Sequence, residues 1–210
     1  MTLPIVPSFK AERALLREGF FRVAGVDEAG RGPLAGPVVA AAVVLDPKRI
    51  PKGIADSKVL NAEAREALFE KLCATAEISF AFGSVRAIDT INILQATLAA
   101  MRRAVLGLAQ SADIVPIDGN MVPKDMPCEA RPLVGGDAHC LSIAAASIVA
   151  KVIRDRLMTR CEESFCGYGL ASHKGYATKA HQAALTSLGP CRLHRRSFWR
   201  IAAMVESEKL

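Results

Sequence analysis

The chain has 210 residues, 51% of them hydrophobic and 23% charged, with a formal net charge of +6. That is ordinary usage for one globular domain with a real core, and it excludes a disordered or collagen-like chain. The longest uncharged apolar run, Gly32 to Leu45, is 14 residues, short of the roughly 18 needed to span a bilayer. No basic segment followed by an apolar one opens the chain, so a cytoplasmic protein without membrane attachment is expected.

Residues 1–19 read as a loosely attached lead-in with a short helix around Ala11 to Glu18. Phe20 to Val26 reads as a strand, and Gly30 to Pro37 as a turn punctuated by Gly and Pro. Val38 to Leu45, β-branched and Ala throughout, suits a strand buried on both faces. Asn61 is a natural cap for a helix over 62–76, and Ile78 to Val85 is a third strand. One long amphipathic helix is predicted over 88–109, with Ile91, Leu94, Leu98, Met101, Val105 and Leu108 at helical spacing.

Asp113 to Ile117 is a strand ending in the turn Asp118-Gly-Asn120. Pro123 to Pro132 is a loop, with a short strand at Leu133 and Val134. Gly135-Gly-Asp137 introduces a helix over 138–160, whose small residues Ala144 to Ser147 and Ala150 imply close packing. Further helices cover 179–187, capped by Thr178, and 197–207. Hairpin strands first and helix-separated strands later imply a mixed α/β sheet. The domain is placed at 20–163, with a helical C-terminal extension over 164–210.

Charge is unevenly placed. No acid occurs from Ser164 to Val205, while Lys174, Lys179, Arg192, Arg195, Arg196 and Arg200 fall there. The remainder of the chain balances at 21 basic and 21 acidic residues. A basic segment on a neutral body fits a polyanion such as nucleic acid, or simply a solvated tail. The six cysteines form no C-x-x-C pair, which predicts reduced thiols and excludes a zinc finger.

The acids carry the chemistry. Asp27 and Glu28 follow an apolar strand and point to opposite faces. At least one therefore turns toward the core, at a cost of several kcal/mol unless compensated. Asp118 ends another apolar strand and Asp137 precedes a helix. Taken singly, Asp118 can be a turn residue and Asp137 a helix cap. Together they sit where α/β sheets build sites. An all-carboxylate donor set suits Mg²⁺ or Mn²⁺, and a pair of such ions serves phosphodiester hydrolysis.

The run Ala24-Gly-Val-Asp-Glu-Ala-Gly-Arg-Gly-Pro-Leu-Ala-Gly-Pro-Val38 resembles the signature of bacterial type 2 ribonuclease H, ribonuclease HII. Asp56-Ser-Lys58, Ile117-Asp-Gly-Asn120, Gly136-Asp137, Ala144 to Lys151, His173-Lys-Gly-Tyr176 and His194-Arg-Arg-Ser-Phe198 follow in the family's order. The resemblance implies a ribonuclease H-like mixed sheet flanked by helices. It implies an endonuclease that cuts the RNA strand of RNA/DNA hybrids and nicks 5′ of a single ribonucleotide in duplex DNA.

It also implies roles. Asp27, Glu28, Asp118 and Asp137 would hold two divalent cations, Mn²⁺ or Mg²⁺. Gly30, Arg31 and Gly32 would sense the 2′-hydroxyl and Tyr176 would stack at the junction. Lys58, Ser147, Lys151, Lys174 and Arg195 would complete the substrate contacts. Val59 and Asn61 replace residues that many relatives have as Lys and Ser, which predicts a small loss of basic contact. Ser142, a Glu in some relatives, is no ligand; Tyr168 is assigned to structure and Trp199 to packing.

Two rivals stand beside this reading. A type 3 ribonuclease H shares the chemistry, but its loop usually differs at Arg31. A non-catalytic binding module leaves four acids beside a polyanion unexplained. A monomer is expected, and the sequence names no protein partner.

Overall fold

The computed structural model describes residues 6–207, the Ser207 side chain excepted. The first five residues of the predicted lead-in and the last three of the extension lie outside the described residues. In chain order the elements are α1 (Lys10–Arg17), β1 (Gly25–Ala29), β2 (Val38–Leu45), α2 (Ala62–Thr75), β3 (Ala76–Gly83), α3 (Val85–Ile91), α4 (Ile93–Leu106), β4 (Ile114–Asp118), β5 (Glu129–Leu133), α5 (Gly136–His139), α6 (Leu141–Ser164), α7 (Leu170–His173), α8 (Lys179–Leu188) and α9 (Trp199–Ser207).

The five strands form one mixed sheet in the order β3-β2-β1-β4-β5. β1 pairs antiparallel with β2, and β2 antiparallel with β3, while β4 runs parallel to β1 and to β5. Alternation along β2 explains the two covered faces. Ala41, Val43 and Leu45 pack with Leu68 and Leu72 of α2 and Ala145, Ile148 and Val149 of α6. Ala40 and Ala42 pack on the other side with Leu98, Met101 and Val105 of α4. Burial on both faces is why β2 reads as one apolar run rather than an alternating one.

Several predicted elements are corrected. The first strand begins at Gly25, not Phe20. Phe21 and Arg22 instead give their N–H groups to the Asp113 carboxylate, each at 2.8 Å, and Val23 makes only an isolated bridge to Ile114. The predicted helix over 88–109 is two helices. Asn92 adopts φ 68° between them, and its side chain accepts from Gln95 N–H at 3.0 Å. The positive φ turns the chain out of α3, and the Asn92 side chain caps α4, so both acts fall on one residue.

The helix predicted over 138–160 is likewise broken into α5 and α6, at the extended residue Cys140. Residues 129–132, predicted as loop, belong to β5, and Pro132 is tolerated because β5 is an edge strand. The turn of helix α7 carried no prediction.

Nor is α1 loosely attached. Its Leu15 is buried beside Val23 and Ile114. Its Glu12 is also buried, and Oε1 accepts from Ser142 N–H at 2.6 Å at the start of α6. A carboxylate against a helix N-terminus satisfies a donor the helix leaves unpaired. Glu12 Oε2 has no partner.

The basic C-terminal segment is packed as well. Tyr168, Leu170, Leu185 and Ile201 share a core cluster with Leu34, Ala35 and Met158. Asp89 of α3 accepts from the N–H groups of Arg196 and Ser197 and from the Ser197 hydroxyl. Tyr168 is structural, its hydroxyl donating to Gly189 O at 2.8 Å. Trp199 is not packing: it is 73% exposed, with the Arg200 guanidinium 5.0 Å from its ring centre. All six cysteines are free, and no described helix is long and apolar enough to cross a membrane.

Candidate active site

The sheet's own register gathers the acids. Val26 of β1 stands beside Ile117 of β4, so Asp27 and Asp118 come next in the two parallel strands. Asp27 points to the α6 face, is 4% exposed, and takes a hydrogen bond from the Ser147 side chain. Glu28 points to the opposite face. Asp118 Oδ1 accepts from Gly136 N–H at 2.7 Å, which brings α5 and the buried Asp137 to the same edge.

This crowding is electrostatically expensive. Burial, then the charges of Glu28 and Asp118, push the Asp27 carboxyl well above its ordinary 3.8. Burial raises Glu28 against the opposing pull of Arg31, and burial followed by Asp137 raises Asp118. Three carboxyls displaced in the same direction on one edge mark a site needing positive charge. Two basic side chains supply part of it. Lys58 Nζ lies 3.0 Å from Asp137 Oδ2, and Arg31 Nη1 lies 3.3 Å from Glu28 Oε1.

With those oxygens turned to basic groups and to main-chain N–H, no described group of three or more His, Cys, Asp or Glu is already arranged as a metal cage. The donor chemistry nevertheless fits a hard divalent cation: only carboxylate oxygens, mutually repelling and partly desolvated.

Beside the acids lies the loop 30–37. Gly30 has φ 95°, and a Cβ there would fall 1.9 Å from Arg154 Nε, so only glycine lets the loop lie on α6. Two buried guanidiniums hold it. Arg195 donates from Nε to Gly36 O, from Nη1 to Arg31 O and from Nη2 to Gly30 O, at 2.9, 2.8 and 2.6 Å. Arg154 donates to Pro37 O, Lys174 O and Ala35 O, each at 3.1 Å. Turning the Gly30 and Arg31 carbonyls inward turns the next N–H groups, those of Arg31 and Gly32, outward, because each trans peptide is planar. A Cβ on Gly32 would lie 3.9 Å from Tyr176 Cε1, so Tyr176 faces this loop.

The predicted substrate contacts divide. Lys58 and Arg31 are at the acids. Lys151 Nζ stands 5.9 Å from the Tyr176 ring centre and pairs with Asp155 at 2.7 Å. Two expectations are corrected, those for Arg195 and Ser147, and Lys174 is placed apart from the acids. Arg195 is 0% exposed with its donors spent on carbonyls, so it supports the loop and reaches no substrate. Ser147 is buried between Asp27 and Ser57, whose hydroxyl is 2.8 Å away, so it orients the acid. Lys174 lines a groove of about 680 Å³ that contains none of the four acids, and its Nζ donates to Thr159 at 2.6 Å.

Sequence reasoning missed Arg154, one charge among Lys151, Asp155 and Arg156 along α6, and the imidazoles of His181 and His194. Their signal was weak, since a buried cation or imidazole is read from its partners, and Arg154 finds two of its carbonyls 117 and 119 residues away.

The ribonuclease HII family model matches residues 24–201. The chain belongs to the ribonuclease HII family. A ribonuclease HII of Rhizobium meliloti (strain 1021) is 60% identical over 92% of this chain and 89% of its own length. The crystal structure of the ribonuclease H2 from Pyrococcus horikoshii OT3 superimposes with TM-score 0.74 at 26% identity, covering 90% of this chain and 99% of that one. A Bst ribonuclease HIII in complex with Mn²⁺ shares the fold, at TM-score 0.72 and 20% identity, over 90% of this chain and 70% of that one. Membership in ribonuclease HII makes the chain a type 2 enzyme, an endoribonuclease acting on RNA/DNA hybrids, and sets aside both the type 3 and the binding-module readings.

Proposed function

We propose that this ribonuclease HII also nicks duplex DNA on the 5′ side of a single ribonucleotide, leaving 5′-phosphate and 3′-hydroxyl ends. The supporting observation is the adjacency of two unlike surfaces. One is the acidic edge Asp27, Glu28, Asp118 and Asp137. The other is the Gly30–Gly32 loop, which turns two main-chain N–H groups outward and faces Tyr176.

The four acids are the residues that would hold two divalent cations, Mg²⁺ or Mn²⁺. Bound there, the cations supply the charge that activates water and stabilises the leaving oxygen of an in-line displacement. Asp27 is oriented by Ser147, and Asp118 by Gly136 N–H. Lys58 and Arg31 neutralise the acids where no cation does, and are free to grip phosphate once released. The outward N–H groups of Arg31 and Gly32 read the 2′-hydroxyl, the one group that separates RNA from DNA at a given position. The Tyr176 ring stacks at the junction, beside Lys151. Residues 164–207 complete the wall of the substrate groove as an extension of the catalytic domain.

A duplex with one ribonucleotide is expected to be nicked 5′ of that residue in Mg²⁺ or Mn²⁺, and to stay intact with EDTA. Cleavage unaffected by EDTA overturns the metal reading. A hybrid-only activity overturns the single-ribonucleotide reading.

A further inference from the structure

Lys174, Gly175 and Tyr176 link α7 to the cap of α8 in a conformation the chain does not choose freely. Lys174 has φ 52° and Gly175 φ 84°, two left-handed residues in succession. Such residues persist where their surroundings over-determine them, and they cluster at functional sites. Here the main chain is fully engaged. Lys174 N–H donates to Leu170 O at 3.0 Å, and Lys174 O accepts from Arg154 at 3.1 Å. Gly175 N–H donates to His173 Nδ1 at 3.2 Å, and Gly175 O accepts from Leu34 N–H at 2.8 Å. Tyr176 N–H donates to His173 O at 2.9 Å. Tyr176 O accepts from Thr178 N–H at 2.8 Å and lies 2.9 Å from His181 Nδ1.

The last contact fixes a chain of protons. A carbonyl only accepts, so His181 Nδ1 carries hydrogen and, in a neutral ring, Nε2 is bare. Nε2 lies 3.0 Å from His194 Nε2, which must then be the donor. His194 Nδ1 is left bare, and it accepts from Cys191 N–H at 3.0 Å. His173, stacked on His181 with ring centres 4.3 Å apart, donates from Nε2 to Tyr168 O at 2.7 Å. One tautomer set satisfies all three rings without a charge. His181 and His194 are 0% and 1% exposed, and beyond each other their ring contacts are His173, Tyr168 and Cys191, with no carboxylate among them. Burial lowers both His181 and His194, His194 to about 4, in keeping with neutral rings.

We propose that His181, with His194 behind it, is a positioning residue: the neutral pair fixes the main chain of Tyr176 so that its ring stands against the Gly30–Gly32 loop. The function assigned to the pair rests on the reading of Tyr176 as the residue that stacks at the ribonucleotide junction. His194 is placed to coordinate both walls. It bridges to Ala35 in the loop, and the next residue, Arg195, holds the carbonyls of Gly30 and Arg31.

Two measurements on the full chain test this. Imidazole ¹⁵N spectra at neutral pH are expected to show His181 protonated at Nδ1 and His173 and His194 at Nε2. A charged pair or the opposite tautomers overturns the proposal. In the second measurement, His181→Phe keeps a ring but loses the donor. His181→Asn keeps an amide nitrogen where Nδ1 stood. Below the melting temperature of every variant, His181→Phe is expected to lower kcat/KM on the single-ribonucleotide duplex by roughly tenfold or more, the order a small misplacement costs. The continuous hybrid should suffer less, and His181→Asn should recover most of the loss. Equal losses on both substrates, or no recovery with Asn, mean a merely structural role and overturn the proposal. Wild-type enzyme that cuts the hybrid but not the single ribonucleotide overturns the reading of Tyr176, and with it the function given to the pair, whatever the imidazole spectra show.

Discussion

At the carboxylate edge, β1, β4 and α5 bring four acids together and give them few partners, so burial and mutual repulsion displace three of them in the same direction. Under the neighbouring loop, two guanidiniums are buried just as deeply, yet carbonyls meet them on every side. Burial and the charge of Arg154 lower Arg195 to about 9, which leaves it charged at neutral pH. The contrast teaches how the same physical cost serves two ends. Carboxylates crowded together repel one another, whereas guanidiniums whose nitrogens each meet a carbonyl make a rigid support even at the cost of burial.

The largest effect should come from the uncompensated side. Asp27→Asn is expected to cut cleavage by about 10³-fold or more, the order lost with a principal electrostatic group. The same change relieves repulsion at a buried site. Folding should therefore gain, and a gain of about 1 kcal/mol would raise Tm by roughly 2–4 °C in a chain of this size. A calorimetric scan beside the cleavage assay checks both, and a lowered Tm would break the contrast.

The compensated side should answer the other way. Arg195→Ala leaves three buried carbonyls without a donor, and urea unfolding should show a loss of about 3 kcal/mol or more. Arg195→Lys should restore little, since a single ammonium does not span three carbonyls fixed in a fork. Full recovery by Lys would show that charge, not geometry, is what the loop requires.

A smaller effect concerns acid. His194 falls from 6.5 to about 4 because burial disfavours its charged form, with His181 adding to it. Between those values the unfolded chain binds more protons than the folded one, so stability is complete above pH 6.5 and declines as pH falls toward 4. The displaced carboxyls contribute in the opposite sense. The slope that belongs to His194 is therefore the difference between wild type and His194→Gln, whose decline over that window should be shallower. Parallel curves would deny the buried, neutral imidazole.

Much of the site was legible beforehand because its cues are local. Asp27-Glu28 after an apolar run, Asp118 before Gly119 and Asp137 after two glycines each mark an element boundary. The mixed sheet followed from β2's apolar run and the helix-separated strands. The break at Asn92 was not legible, since the apolar spacing continues through it and only the cap reveals it. Arg195 and Ser147 read as substrate contacts because a cation and a hydroxyl in a motif look alike whether they point out or in.

By itself, then, the sequence determined which acids close the strands and open a helix, and which stretches alternate or repeat with helical period, since both depend on neighbours within a few positions. The tertiary structure decided which charges meet water and which meet carbonyls. It turned Arg195 from an expected substrate contact into the support of the Gly30–Gly32 loop, 165 residues away along the chain at Gly30. It also linked His181 to His194 and docked Glu12 on α6. The reason is physical: the cost of a buried charge or imidazole depends on the partners within hydrogen-bonding reach, and here those partners come from segments the chain brings together only on folding.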